Sequence, residues 1–277
     1  MHAIVGSHDV VLVTLDTLRL DVAQTAWAQG RLPVLSRWLP SEGFEARHSP
    51  ASFTYAAHQA FLTGFLPTPI LALPPGKSHP RLFALAFPGS ESTTPQTYVF
   101  ARGASLPEGF ADLGYRTICV GGVGFFNKQN ALGSVLPGLF QEAHWQPEFS
   151  VTRPDSTETQ VALARQRLDT EPRRVFMLLN VSAIHQPNHH YLPAEGPARP
   201  WHQKPVQDSI ASHSAALSYV DRALAPLWEA LARRGPAFVV LCSDHGTAYG
   251  EDGYFGHRHA HPVVMHVPYA HFLVARA

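Results

Sequence analysis

The chain has 277 residues, with 21 Lys+Arg balancing 21 Asp+Glu, and 45% of its residues are hydrophobic against 15% charged. Such a chain buries a full core, which excludes disorder, and its neutral balance lacks the electrostatic footprint that non-specific nucleic-acid binding requires. No apolar run approaches the roughly 18 residues of a membrane span, and the first residues show no basic segment leading into an apolar one, so the expectation is a single cytoplasmic domain over residues 1–277 with no nucleic-acid or membrane partner.

The first clear element is Val10–Leu15 (VVLVTL), a continuous apolar run of the kind a strand buried on both faces shows. Residues 17–29 and 33–39 read as helical, with Gly30 between them. Thr54–Leu62 reads as a helix closed by Gly64. Residues 66–97, rich in Pro, Gly, Ser and Thr, read as a surface excursion. Tyr115–Val120 is strand-like, and residues 155–168 open on Asp155 and Glu158, a capping-box-like start to a helix. Val175–Val181 (VFMLLNV) is another buried strand, followed by an irregular Pro- and His-rich stretch over 185–205. Ser209–Arg233 is the longest helix, broken or kinked near Pro226. Ala237–Cys242 (AFVVLC) is the last central strand, and His271–Val274 an edge strand. Cys119 and Cys242 both fall in strand-like runs and are expected as buried free thiols. This alternation predicts an α/β fold around a largely parallel sheet.

Three of the buried strands end in residues able to bind metal. Val10–Leu15 delivers Asp16, Val175–Val181 leads to His185, and Ala237–Cys242 delivers Ser243-Asp244-His245-Gly246. Ligands of open α/β sheets bind at the carboxyl ends of strands. Asp16, Asp244 and His245 form an O/O/N set suited to Zn²⁺ or Mn²⁺. The plainer alternative makes Asp244 a turn cap and His245 a surface residue. Gly121-Gly122-Val123-Gly124 follows a strand but fits neither phosphate-loop fingerprint, and reads as a turn.

Ser243-Asp244-His245-Gly246, with Glu251 and Gly256-His257 after it, resembles the metal signature of the sulfatase and alkaline-phosphatase superfamily. VLVTLDTLRLD (11–21) resembles its first metal strand, and Thr54–Gly64 the frame of the sulfatase nucleophile motif, which ends Leu-Thr-Gly. Leu113–Thr117, Ser218–Arg222 and Val267-Pro268 are similar to later segments, so the resemblance runs in order along nearly the whole chain. It implies an alkaline-phosphatase-like three-layer α/β sandwich with a mixed, mostly parallel central sheet. It also implies a metal-dependent hydrolase or transferase. Asp16, Asp244 and His245 would hold the ion with Thr54, the residue in the nucleophile position, which the metal can activate.

The departures redirect the chemistry. Sulfatases convert a Cys or Ser in Cys-x-Pro-Ser-Arg to formylglycine; here Thr54 is followed by Ala56, Ala57 and His58, and Thr has no route to formylglycine. Sulfatases also pair two aspartates where this chain has Asp16-Thr17. A Thr nucleophile suits phosphotransferases and phosphodiesterases, so the expected substrate is a small anionic phosphate monoester, phosphodiester or phosphonate ester, attacked in line through a phosphothreonine. His185 and His257 either contact the transferred group or, with His189, hold a second ion. His58, one helical turn from Thr54, either replaces the missing arginine or belongs to the core. Arg19 either holds substrate or pairs with Asp21. Asp221 reads as structural, and His190, His202, His213, His259 and His261 as lining or surface. A two-metal phosphodiesterase, a mutase-like transferase and a non-catalytic metal-binding scaffold are the alternatives.

Overall fold

The computed structural model describes residues 3–64, 84–87, 90–92, 105–193 and 207–275. The strands are β1 (Asp9–Leu15), β2 (Glu45–His48), β3 (Ala84–Phe87), β4 (Ser90–Ser92), β5 (Arg116–Val120), β6 (Glu142–His144), β7 (Val175–Val181), β8 (Ala237–Cys242), β9 (Ala248–Tyr249), β10 (Phe255–Gly256) and β11 (His266–Val274). The α-helices are α1 (Leu20–Ala28), α2 (Thr54–Thr63), α3 (Leu106–Asp112), α4 (Ala131–Val135), α5 (Ser156–Thr170), α6 (Ile210–Ala223), α7 (Ala225–Arg234) and α8 (Pro262–Met265). Seven strands form one sheet in the order β2-β11-β8-β1-β7-β5-β6. From β8 to β6 neighbours run parallel, and β11 and β2 extend the sheet antiparallel.

The period-2 geometry of β1 explains why its run is apolar throughout. Val11, Val13 and Leu15 enter a core shared with α1, α5, α6 and α7, while Val10 enters a second core with Tyr55 and Leu62 of α2 and Phe110 of α3. The sheet therefore carries helices on both faces, the three-layer α/β arrangement expected. β7 and β8 match their predicted limits to the residue, because central parallel strands are buried runs bounded by polar residues.

Elements with weaker apolar signals differ from expectation. Of 33–39, only Leu35–Arg37 forms a helical turn; its N–H groups at Val34 and Leu35 are capped by Asp221, at 3.1 and 2.8 Å, giving that buried carboxylate its structural role. α5 starts at Ser156, and Asp155 makes no side-chain cap. The long stretch is broken at Pro226 as expected: the proline falls in the first turn of α7, where its missing N–H costs nothing, and α6 ends at Ala223. The terminal strand begins at His266 and lies inside the sheet; the edge is β2, whose Glu-Ala-Arg-His sequence is wholly exposed and carries no alternation to read. Cys119 and Cys242 are buried free thiols. The excursion at 66–97 lies outside the described residues except for the antiparallel pair β3–β4, and the stretch at 185–205 is described to residue 193.

Candidate active site

Strands β8, β1 and β7 are consecutive and parallel, so their carboxyl ends lie side by side. That placement brings Asp16, Asp244 and His245 together: one donor atom from each lies within 4.8 Å of the others, and all three residues are fully buried. Thr54, the first residue of α2, enters the same cluster. Its hydroxyl donates to Asp16 Oδ2 at 3.2 Å and lies 3.2 Å from His245 Nε2. The positive end of the α2 dipole thus sits at the hydroxyl.

Each carboxylate has one oxygen tied by the protein and one without a hydrogen-bond partner among the described residues. Asp244 Oδ1 accepts from the N–H of Thr17 at 3.2 Å and of His245 at 3.0 Å; Asp16 Oδ2 accepts from Thr54 and from Asn180 Nδ2 at 3.2 Å. Asp16 Oδ1 and Asp244 Oδ2 are buried with no hydrogen-bond partner among the described residues. Burial pushes Asp244 up to about 7 and Asp16 up to about 6, the charge of Asp244 adding to the second shift. His245 donates from Nδ1 to Gly246 O at 2.9 Å, which leaves the Nε2 lone pair facing the carboxylates, and burial pulls its ring down to about 4. Two orphaned carboxylate oxygens and one oriented imidazole nitrogen, all desolvated, fit a divalent cation: it would supply the charge their burial lacks.

Two backbone details make this cluster possible. Thr17 adopts φ +62°, a strained conformation for a β-branched residue, and so delivers its N–H to Asp244. Gly246 packs so closely that a Cβ would stand 2.0 Å from Val263 O, so only glycine can follow the Asp-His pair.

The histidines divide. His257 packs between His245 and His185, with ring centroids 4.6 and 5.4 Å away. His185 Nδ1 donates to Gln186 O at 2.6 Å, leaving Nε2 as the available nitrogen. Burial, with the nearby His245, His185 and Arg258, holds the His257 ring far below the ordinary imidazole range. His189 lies 3.0 Å from Asp208 Oδ1, and the group able to hold a metal among the described residues does not include it. His58 is fully buried with both ring nitrogens engaged: Nδ1 with Thr54 O at 2.8 Å and Nε2 with Thr14 Oγ1 at 3.0 Å. Burial lowers it to about 4. Arg19 is 2% exposed and makes a bidentate pair with Asp21, at 2.9 and 2.7 Å, and a further ion pair with Glu251. His213 lies in a buried network with Tyr249, its Nδ1 2.9 Å from the phenol oxygen. His259 rests against the Gly256 carbonyl, His261 pairs with Asp252, and His202 is outside the described residues.

The sulfatase family model matches residues 8–269. The chain belongs to the sulfatase family. No curated protein matches it by sequence. Solved structures share its fold at low identity. The C-terminal periplasmic domain of phosphoethanolamine transferase EptC from Campylobacter jejuni is 14% identical with a TM-score of 0.59, over 96% of this chain and 79% of that one. The equivalent Escherichia coli domain, in complex with Zn, is 14% identical with a TM-score of 0.62, over 98% and 74%. Lipoteichoic acid synthase LtaP from Listeria monocytogenes is 15% identical with a TM-score of 0.57, over 96% and 65%. These findings overturn the cytoplasmic location expected for this sulfatase-family chain, since the two transferase structures are periplasmic domains. No helix among the described residues is long and apolar enough to cross a membrane.

Sequence reasoning passed over Asn180, Thr14 and Arg258. Asn180 is a lone amide near the end of an otherwise apolar strand, which is itself a signal. Thr14 passes as a strand former. Arg258 carries φ +77°, donates its N–H to Ser52 O at 2.9 Å and lays its guanidinium 5.4 Å from the ring of Phe53, the neighbour of Thr54; no local pattern announces that.

Proposed function

We propose that this sulfatase-family chain cleaves or transfers a phosphoryl-type group, from a phosphate monoester, phosphodiester or phosphonate ester, with Thr54 as nucleophile. The observation that carries this reading is the position of Thr54 Oγ1, 3.2 Å from both Asp16 Oδ2 and His245 Nε2 at the N-terminus of α2. A hydroxyl so placed attacks an electrophilic phosphorus rather than hydrating to the formylglycine diol that sulfate ester cleavage uses, because Thr cannot be converted. Asp16, Asp244 and His245, with Thr54, would hold one divalent ion, Zn or Mn. When bound it lowers the pKa of the hydroxyl and offsets negative charge on the transferred group.

The protein's own groups supply the rest. In-line attack forms the Thr54 Oγ1–phosphorus bond as the hydroxyl proton passes to Asp16 Oδ2, to which it already donates, and the ester oxygen departs; water or an acceptor alcohol then releases the group from Thr54. His185 and His257 would face the transferred group, and the one that gains a proton when the anion binds would protonate the leaving oxygen. The engagement of His189 by Asp208 supports one ion rather than two. His58 and Arg19, whose polar atoms are committed to the protein, would serve as framework. Residues 1–277 would act as one catalytic unit. The neighbouring structures, transferases of phosphoethanolamine and a lipoteichoic acid synthase, support a small or lipid-linked anionic ester as substrate and a periplasmic or extracellular site of action.

A panel of p-nitrophenyl phosphate, bis-p-nitrophenyl phosphate, p-nitrophenyl phenylphosphonate and p-nitrophenyl sulfate, assayed with Zn²⁺ or Mn²⁺, tests this. The expected outcome is turnover of at least one phosphorus ester, with sulfate ester cleavage at least about 100-fold slower, a gap of roughly 3 kcal/mol in barrier. Preferential sulfate cleavage would overturn the reading.

A further inference from the structure

Asn180 is the single polar residue in β7, and it is fully buried. Its side-chain amide uses all its bonds. Oδ1 accepts from the N–H of Gly122 at 3.3 Å and of Val123 at 3.2 Å, and Nδ2 donates to Thr14 Oγ1 and Asp16 Oδ2, each at 3.2 Å. Backbone N–H groups can only donate, so the amide oxygen must face them and the NH₂ must face Asp16; the orientation is fixed by chemistry. The turn that imposes it is the Gly121-Gly122 segment that matched no phosphate loop. A Cβ on Gly122 would lie 2.5 Å from Asn180 O and 2.7 Å from Ser182 Cβ, so glycine is what lets the turn come close enough to donate.

The consequence falls on Asp16. A carboxylate free to rotate about its last torsion offers either oxygen to a cation; one held at Oδ2 by Asn180 and Thr54 offers Oδ1, the oxygen without a hydrogen-bond partner among the described residues. The same amide also supports Thr14, whose hydroxyl bonds His58, which in turn holds the carbonyl of Thr54. One residue thereby links the metal carboxylate to the nucleophile's backbone.

We propose that Asn180, clamped by the Gly122–Val123 turn, is a positioning residue that fixes which oxygen of Asp16 is presented to the divalent cation. This rests on the functional reading above, in that Asp16 is taken as a metal ligand. Partners that orient a ligand in this way change metal affinity about 10–100-fold when removed.

The test is Zn²⁺ affinity at one pH, measured on the full chain by competition with a chromophoric chelator, alongside the visible absorption spectrum of the Co²⁺-loaded protein. Asn180→Leu keeps the branched outline of the side chain and removes the amide. Gln160→Leu is the control, because Gln160 Nε2 donates to the backbone carbonyl of Asn180 at 2.7 Å, equally buried, but does not touch Asp16. The expected result is about 10- to 100-fold weaker Zn²⁺ binding and an altered Co²⁺ spectrum for Asn180→Leu. Gln160→Leu should stay within about threefold of wild type. Asn180→Ala, which leaves room for water, carries the same readouts where the leucine variant does not fold. Wild-type affinity in the Asn180 variants, or equal weakening in Gln160→Leu, overturns the positioning role while leaving the metal site intact. A wild-type chain that binds no Zn²⁺ overturns both this inference and the functional reading.

Discussion

Replacing Thr54 by alanine should lower kcat/KM on the best phosphorus ester by at least about 10⁴-fold, the scale on which loss of a nucleophile acts when the rest of the site stands. Thr54→Ser, which keeps the hydroxyl and loses only the methyl, should stay within about tenfold of wild type. The alanine variant loses the hydroxyl's hydrogen bond to Asp16 and one methyl but leaves the α2 backbone unchanged, so it should fold; its circular dichroism and melting midpoint in chelator check that. A hydroxyl serving only as a metal ligand or a hydrogen-bond donor to Asp16 would give a far smaller loss. The split between Ala and Ser, measured as kcat/KM, separates these roles.

The second large effect follows from burying two carboxylates together. Asp244 is pushed up to about 7 and Asp16 to about 6, against 3.8 for each in an open chain. Between pH 4 and those values the folded state holds more protons than the unfolded one, so stability from these groups falls as pH rises, and the loss is complete above pH 7. His58 and His245, lowered to about 4, act with the opposite sign between about pH 4 and 6.5 and contribute nothing above it. Above pH 7 these two histidines therefore offset none of the carboxylate cost in the metal-free protein. Asp244→Asn keeps an oxygen for the N–H groups of Thr17 and His245 and removes the charge. In chelator at pH 8 it should be more stable than wild type by on the order of 2 kcal/mol, an advantage that shrinks by pH 5. Saturating divalent metal should reverse the order, since ion at 100 times its Kd stabilises wild type by about 2.7 kcal/mol and the variant hardly at all. Thermal melts at pH 5 and pH 8, with and without metal, read both effects.

The parts of this protein legible in its sequence are those where burial and chemistry coincide. β7 and β8 could be read to the residue because a strand covered on both faces must be apolar and must stop where the polar residues begin. Asp16, Asp244 and His245 stood out because they follow such strands, and Thr54 because Thr54–Gly64 resembles the frame of the sulfatase nucleophile motif. What the sequence hid was set by contact rather than by pattern. β2 is fully exposed, so its pairing with β11 leaves no alternation to see. The role of Asn180 depends on a turn nearly sixty residues away in the chain, and the left-handed turn at Thr17 has no compositional mark. The engagement of Arg19 by both Asp21 and Glu251 needed the fold, because Glu251 lies on the far side of the sequence.

The most direct test of Thr54 as the group that carries phosphorus is peptide mapping of the metal-loaded protein quenched in acid during turnover of a phosphorus ester. The prediction is a phosphorus adduct on the peptide containing Thr54, absent from Thr54→Ala and lost when acceptor is added before the quench. An adduct on the peptide of His185 or His257, or steady turnover with unmodified Thr54 under every quench time, would contradict it.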